Sequence, residues 1–167
     1  MSTVATLQIG DTTTTVAVDT TGEFAGGSID LPCGVRSLRD RHFSADPPLP
    51  HELTNAIGEM LDHLDDALRE VPALVEVDRV VVSGHHVAII ANVEHGGELT
   101  IPTFTLTREA AEDVFRTVAT EPASARRHNP GLPAKAVDDI VAACCALVAV
   151  MRGLHLSAVE VPIGATT

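Results

Sequence analysis

The chain contains no tryptophan, no tyrosine and only four phenylalanines among its 167 residues. Proteins that read single-stranded nucleic acid stack the bases on aromatic side chains, so the composition argues against that kind of recognition. Basic charge is scarce as well, since Lys135 is the single lysine and the formal net charge is −12. Because phosphate backbones and anionic lipids are bound by clustered cations, we predict no nucleic-acid partner and no membrane surface.

Cysteine and long apolar runs are also sparse. Cys33, Cys144 and Cys145 show no CxxC spacing, which predicts reduced, mostly buried thiols, and we predict no metal site. The N-terminus has neither a basic nor an apolar segment of the kind found in signal peptides. The longest apolar run, residues 140–151, is too short to span a bilayer. These features predict a cytoplasmic protein.

The apolar content of 45% is enough for a sizeable core, and we predict one domain over residues 1–167. Hydrophobic periodicity and turn residues divide the chain into predicted elements. The predicted strands are 3–9, 12–18, 26–31, 79–83 and 156–162, and the predicted helices are 51–70, 87–91, 107–118 and 134–153. Three meandering strands followed by alternating helices and strands predict an α/β fold. Its mixed sheet would have about five strands, an antiparallel meander with parallel additions, and helices on both faces.

The turn between the first two strands is one candidate site. Its small, hydroxyl-rich residues are typical of a loop that cradles phosphate with backbone N–H groups and hydroxyls. An ordinary β-hairpin is the alternative, because threonine favours strands and a carboxylate at the tip repels an anion. Gln8 also stands where a carboxylate would hold a metal, which disfavours phosphoryl-transfer chemistry. The candidate phosphate-binding residues of this turn are Gly10, Asp11, Thr12, Thr13 and Thr14.

A second candidate site is the sequence Gly84, His85, His86, which directly follows a continuous apolar strand. Where a strand gives way to a helix, the first N–H groups of the helix face a ligand. A plain loop is the alternative. Adjacent histidines point apart, so a metal shared between them would need a third ligand from elsewhere in the chain.

Other charged and nucleophilic residues have less specific patterns. Arg36, Arg39 and Arg41 are either forks for phosphate oxygens or partners of the many carboxylates. The adjacent Cys144 and Cys145 lie in an apolar run that predicts core packing. One face of the long helix at 51–70 carries residues that favour a solvated surface over a site for a hard cation: Glu59, Asp62, His63, Asp65 and Asp66.

Three stretches of the chain share a wider pattern. Residues 28–48 combine a strand, a Gly-Val-Arg turn, an Arg-His pair and Asp-Pro-Pro before a long helix. Residues 105–111 have the spacing L-T-x-x-A, and residues 127–147 are similar to the helix pattern H-P-G-R-A-D-V-I-x-A-G-A-L. Together they resemble the exopolyphosphatase/guanosine-pentaphosphate phosphohydrolase (Ppx/GppA) family. The resemblance covers nearly all of this chain but only the second, C-terminal domain of the family, and it implies an actin-like, ribonuclease-H-like fold.

The resemblance also implies a function. The family's phosphate loop, D-I-G-G-G-S-T-E, falls on residues 8–15, where its Asp is replaced by Gln8 and its Glu by Thr15. The second glycine motif of the family falls on residues 84–86. Members of the family release terminal phosphate from polyphosphate or guanosine pentaphosphate with Mg²⁺. The resemblance therefore implies a divergent phosphatase domain with reduced or lost catalysis and residual phosphate binding, for which no catalytic residue is assigned.

The alternative is a non-enzymatic interaction domain. The family's first domain, which supplies the other wall of the active-site cleft, has no counterpart in this sequence. An apolar surface exposed in its place would favour pairing. This interpretation predicts either a homodimer or docking onto a separate partner lobe.

Overall fold

The computed structural model describes residues 3–20 and 26–164, and the turn predicted at 21–23 lies outside them. The strands are β1 (Thr3–Ile9), β2 (Thr14–Thr20), β3 (Gly27–Leu31), β4 (Arg79–Ser83), β5 (Thr103–Thr107) and β6 (Ala158–Pro162). The α-helices are α1 (Val35–His42), α2 (Pro50–Glu70), α3 (His85–His95), α4 (Arg108–Ala119), α5 (Ala123–Arg126) and α6 (Ile140–Gly153). Short 3₁₀ turns cover Pro72–Glu76 and Ala134–Ala136.

The strands form one mixed sheet in the order β3-β2-β1-β4-β6-β5. β1, β2 and β3 make an antiparallel meander, β4 is parallel to β1, and β6 is parallel to β4. The predicted α/β fold with a mixed sheet is confirmed, with six strands instead of about five. The additional strand is β5, an antiparallel edge strand of five residues. β5 has only five residues and directly follows Pro102, so its sequence shows too little periodicity to predict a strand.

Buried residues alternate along the strands, so one face of the sheet carries the core. Ala5, Leu7 and Ile9 of β1 are buried, and they face the same side as Val80 and Val82 of β4. The opposite face carries residues such as Gln8 and Glu160, and an Arg79–Glu160 ion pair crosses it. The prediction of helices on both faces is therefore wrong for the described residues. The helical connections from β3 to β4 and from β4 to β6 move across the sheet in one direction, and right-handed crossovers then place their helices on a single face.

Helix α6 is the centre of the core, and α1, α2, α3 and α4 all pack against it. Residues 140–151 are all buried, which includes the free thiols of Cys144 and Cys145. Burial of these two cysteines, and of Cys33, confirms the prediction from the sequence. None of the helices in the described ranges is both long and apolar enough to cross a membrane.

Most helix and strand boundaries differ from those predicted by one or two residues, and the following differences bear on the site or on the core. α3 runs over His85–His95, well beyond the predicted 87–91, and ends at Gly96, which has φ of 90°. β6 starts at Ala158 instead of residue 156. The last long helix starts at Ile140 and not at 134, because the chain first makes a 3₁₀ turn. The Val137 carbonyl, which a continuous helix would use internally, instead accepts a hydrogen bond from Arg126.

Arg126 and Arg127 are neighbours in sequence with opposite environments. Arg126 is buried, and its guanidinium donates to the carbonyls of Val137 and Glu121 and to the Asp46 carboxylate. Arg127 is exposed. Arg126 therefore joins the loop before α2 to the segment between α4 and α6, which positions the start of α6.

We predict that Arg126→Met destabilises the fold by about 3 kcal/mol or more, because it leaves buried carbonyl groups without a donor. The matched variant Arg127→Met changes an exposed side chain, and we expect an effect within about 0.5 kcal/mol. Urea unfolding followed by circular dichroism measures both values. Similar losses in the two variants would contradict the assigned role of Arg126.

Candidate functional site

The carboxyl ends of β1 and β4 open together into a cavity of about 460 Å³, which we call the β1–β4 cleft. The register pairs Gln8 with Ser83, so the residues that follow the two strands lie side by side. Ligands of open α/β sheets bind at such strand ends. The cleft is lined by Gln8, Ile9, Gly10, Asp11, Arg36, Gly84, His85, His86, Lys135 and Asp139.

Gly84 forms the junction between β4 and α3. Its φ of 139° is a conformation that side chains rarely adopt, and a Cβ there would lie 2.4 Å from the carbonyl oxygen of Ile9. No side chain caps α3, which begins at His85. The first-turn N–H groups of α3 have no partner within the helix, and the first two residues of the helix, His85 and His86, line the cleft.

The turn after β1 is arranged differently. The Gly10 N–H donates to the Thr13 carbonyl (2.9 Å), and the Gly10 and Asp11 carbonyls accept hydrogen bonds from the first N–H groups of α1. The Thr14 hydroxyl is buried and donates to the Cys33 carbonyl (2.7 Å). Of the five residues predicted in this turn, the structure places Gly10 and Asp11 in the cleft, whereas Thr12, Thr13 and Thr14 do not line it.

Close approach of α1 explains this arrangement. A Cβ on Gly34, which precedes α1, would lie 2.5 Å from the Gly10 oxygen, so the absence of a side chain lets the helix reach the turn. The N-terminus of α1 therefore binds the peptide groups of its own chain. Its N–H groups are not available to a ligand, in contrast to those of α3.

Basic and acidic side chains lie next to one another in the cleft. His86 lies between two carboxylates, with Nδ1 at 3.9 Å from Asp11 and Nε2 at 3.5 Å from Asp139. Asp139 is buried and accepts a hydrogen bond from Arg39, and Asp11 lies 3.8 Å from the exposed Arg36 guanidinium. Each carboxylate of the cleft is therefore paired with an arginine.

The side chains of the predicted pair His85 and His86 point to different environments, as expected for adjacent residues. His85 is exposed, whereas only 7% of the surface of His86 is accessible. Burial is the largest influence on the pKa of His86 and lowers it, and the carboxylate of Asp139 opposes this without reversing it. His86 is therefore a neutral imidazole at neutral pH, held between two acids.

The structure adds residues that the sequence did not single out. Lys135 and Asp139 reach the cleft from the segment before α6, which is distant in sequence from both predicted loops. Arg36 lines the cleft, whereas Arg39 pairs with Asp40 and Asp139, and Arg41 pairs with Glu59. The one available signal for Lys135 was that the chain has no other lysine.

Comparison with known proteins shows similarity at the level of the fold. An exopolyphosphatase-like protein superimposes with a TM-score of 0.88 and 14% identity over 96% of this chain and 55% of that chain. The Aquifex aeolicus PPX-GPPA enzyme gives a TM-score of 0.84 and 19% identity over 96% and 53%. An exopolyphosphatase from Cytophaga hutchinsonii superimposes with a TM-score of 0.73 and 16% identity, over 97% of this chain and 53% of that chain.

This chain spans about half the length of those solved structures. No protein-family model and no curated protein sequence matches it. The resemblance found in the sequence is therefore confirmed for the fold, which this chain shares with Ppx/GppA proteins across nearly its whole length.

We predict that the stability of the protein falls as pH is lowered from about 7.5 to about 5.5, with a contribution from His86. The unfolded chain takes up a proton at the ordinary histidine pKa of 6.5, whereas the folded imidazole has a lowered pKa and resists protonation. The unfolded state then binds more protons, and folding becomes less favourable. Urea unfolding at both pH values measures this change.

His86→Gln removes this contribution, so the loss of stability between the two pH values becomes smaller. His128→Gln, which changes an exposed histidine, serves as the control and leaves the loss unchanged. An equal pH dependence in wild type and His86→Gln would show that His86 is not responsible.

Proposed function

We propose that this chain is a divergent Ppx/GppA-type domain whose β1–β4 cleft binds the phosphate groups of polyphosphate or of a phosphorylated nucleotide. One observation carries the proposal: the uncapped N-terminus of α3 and the side chains of Arg36 and Lys135 surround the same cavity. Helix N-termini and paired cations are the usual partners of phosphate oxygens. An exopolyphosphatase and an exopolyphosphatase-like protein share this fold, which supports the choice of ligand.

Local charge favours this ligand despite the acidic surface. Asp139 is neutralised by Arg39, and Asp11 lies beside Arg36. Lys135 forms no ion pair with any other described residue, and it is exposed at the cleft. Arg36 is half exposed and lies 3.8 Å from Asp11, so its guanidinium has donors left for an entering phosphate while it stays beside that carboxylate. Arg36, Lys135 and the first turn of α3 then converge on the phosphate.

We further propose that catalysis by this chain alone is reduced or lost. The position of the family's first loop carboxylate holds Gln8, and Thr15 replaces the glutamate and donates its hydroxyl to Asp30. The resemblance implies Mg²⁺, but both acids of the cleft face basic groups, and Asp139 is held by Arg39 and His86. This donor set does not fit a resident Mg²⁺, which prefers unopposed oxygen ligands. No hydrolytic step is therefore assigned to these residues.

A non-enzymatic role is the second candidate function. The fold of this chain accounts for about half of each similar solved structure, and the remaining half accompanies it in those chains. A second copy of this chain, or a separate lobe, would then complete the cleft. In that case the domain acts by pairing, with or without a bound phosphate.

We predict that the protein binds inorganic tripolyphosphate, and that Lys135→Gln and Arg36→Gln each weaken the dissociation constant roughly tenfold. A hydrogen bond to a charged group contributes about 1.5 kcal/mol or more, which corresponds to about this factor. Isothermal titration calorimetry at low salt measures the affinity. Arg69→Gln removes an exposed arginine of α2 and serves as the control. Equal weakening by Arg69→Gln would indicate diffuse electrostatic attraction instead of a site.

We also predict no release of inorganic phosphate from polyphosphate or guanosine pentaphosphate by this chain alone, with Mg²⁺ and K⁺ present. Sustained release that disappears in Lys135→Gln would overturn the loss of catalysis.

Analytical ultracentrifugation with and without tripolyphosphate distinguishes phosphate binding from the pairing role. A dimer that forms without ligand, together with no tripolyphosphate binding, favours the pairing role.

A further inference from the structure

A second cluster of chemically active side chains lies between α2 and the loop that precedes α1. One ligand atom each from Cys33, Glu59 and His63 lies within 4.8 Å of the other two. Cys33 is completely buried, whereas Glu59 and His63 are partly buried. None of these residues lines the β1–β4 cleft.

The secondary structure brings the three residues together for simple reasons. Glu59 and His63 are one turn apart on α2, so their side chains share a face of the helix. Cys33 follows β3, and the packing of α2 against β3 and α1 sets the thiol beside that face. The sequence separates Cys33 widely from the helical pair, which is why its pattern gave no metal motif.

The separation between His63 and Glu59 matches that of neighbouring ligands in a tetrahedral metal site, and the Cys33 sulfur lies within 4.8 Å of both. With metal–nitrogen and metal–oxygen bonds of about 2.0 Å and a metal–sulfur bond of about 2.3 Å, neighbouring ligand atoms lie about 3.3 to 3.6 Å apart. His63 Nε2 lies 3.4 Å from a Glu59 carboxylate oxygen. Thiolate, imidazole and carboxylate are a ligand set that zinc accepts, whereas magnesium and calcium prefer oxygen alone.

We propose that Cys33, Glu59 and His63 bind a zinc-type divalent transition metal ion, with the fourth position taken by water. The ligands carry two negative charges once the thiol is deprotonated, which balances the ion. A structural role fits the position, because the ion would join α2 to the loop before α1.

Two neighbouring residues, His42 and Arg41, contact the Glu59 carboxylate. His42 Nε2 lies 2.8 Å from the second carboxylate oxygen of Glu59 and so orients that carboxylate. The Arg41 guanidinium donates to the same Glu59 oxygen that faces His63, so metal binding at that oxygen requires the half-exposed Arg41 side chain to turn away towards solvent. Burial and the nearby Glu59 raise the pKa of the Cys33 thiol to about 12. A bound metal ion replaces the thiol proton, since coordinated thiols are deprotonated.

The proposed site would also stabilise the turn at Gly10, which forms one wall of the cleft. The Cys33 carbonyl accepts the hydrogen bond from Thr14, and the adjacent Gly34 packs against the turn at Gly10. Fixing Cys33 therefore fixes the turn that forms one wall of the cleft. This inference does not depend on whether the cleft binds phosphate.

The test uses the whole chain after treatment with a chelator. Titration with Zn²⁺ against a chromophoric chelator should give one tight site per chain, and Zn²⁺ should raise the melting temperature. Co²⁺ in its place should produce thiolate-to-metal charge-transfer absorption. Loss of a residue that only hydrogen-bonds a metal ligand weakens metal binding by roughly 10- to 100-fold, and we expect an effect of this size for His42→Gln. His63→Gln removes a ligand itself and should weaken Zn²⁺ binding by more than that.

Matched controls are available on the same elements. His51→Gln removes an exposed histidine of α2, and Cys145→Ala removes a buried thiol of α6, and both should bind Zn²⁺ as the wild type does. Cys33→Ala should abolish the cobalt charge-transfer absorption. Because Cys33 is buried, the partly exposed His63 provides the variant that is expected to fold. Absence of a tight site, or equal weakening by His51→Gln and His63→Gln, would overturn the proposal.

Discussion

The parallel pairing of β1 with β4 is the constraint on which the candidate site depends. It sets the Ile9 carbonyl against Gly84, where a Cβ would lie only 2.4 Å away. A glycine at this point lets two strand ends meet, so the turn after β1 and the helix after β4 open into one cavity. Without this contact, Arg36 and Lys135 would not share a cavity with the first turn of α3.

The two helix N-termini near these strand ends have different roles. That of α1 donates to the carbonyls of Gly10 and Asp11 and so holds the turn rigidly. That of α3 has no side-chain cap and lies at the cleft. A chain with a formal charge of −12 can therefore present a local surface suited to anions, because backbone dipoles, Arg36 and Lys135 act there while Arg39 neutralises Asp139.

The segment from Leu31 to Val35 connects both proposed sites. Cys33 contributes its carbonyl to the Thr14 hydroxyl and its thiol to the cluster with Glu59 and His63. Gly34 then brings α1 onto the Gly10 turn. The resemblance to Ppx/GppA proteins includes this segment but concerns only the fold, whereas the packing of α2 brings Glu59 and His63 to Cys33.

Local pattern in the sequence determined the strands of the meander, the long amphipathic α2, the buried α6 and the glycine junction at residue 84. These features depend on periodicity and turn chemistry between near neighbours. Tertiary structure alone decided that Thr14 is buried, that Lys135 and Asp139 reach the cleft, and that β5 completes the sheet edge. Those outcomes depend on contacts between distant segments. The Arg126 hydrogen bond to the Val137 carbonyl, just before α6 begins at Ile140, is one such contact, and periodicity carries no signal for it.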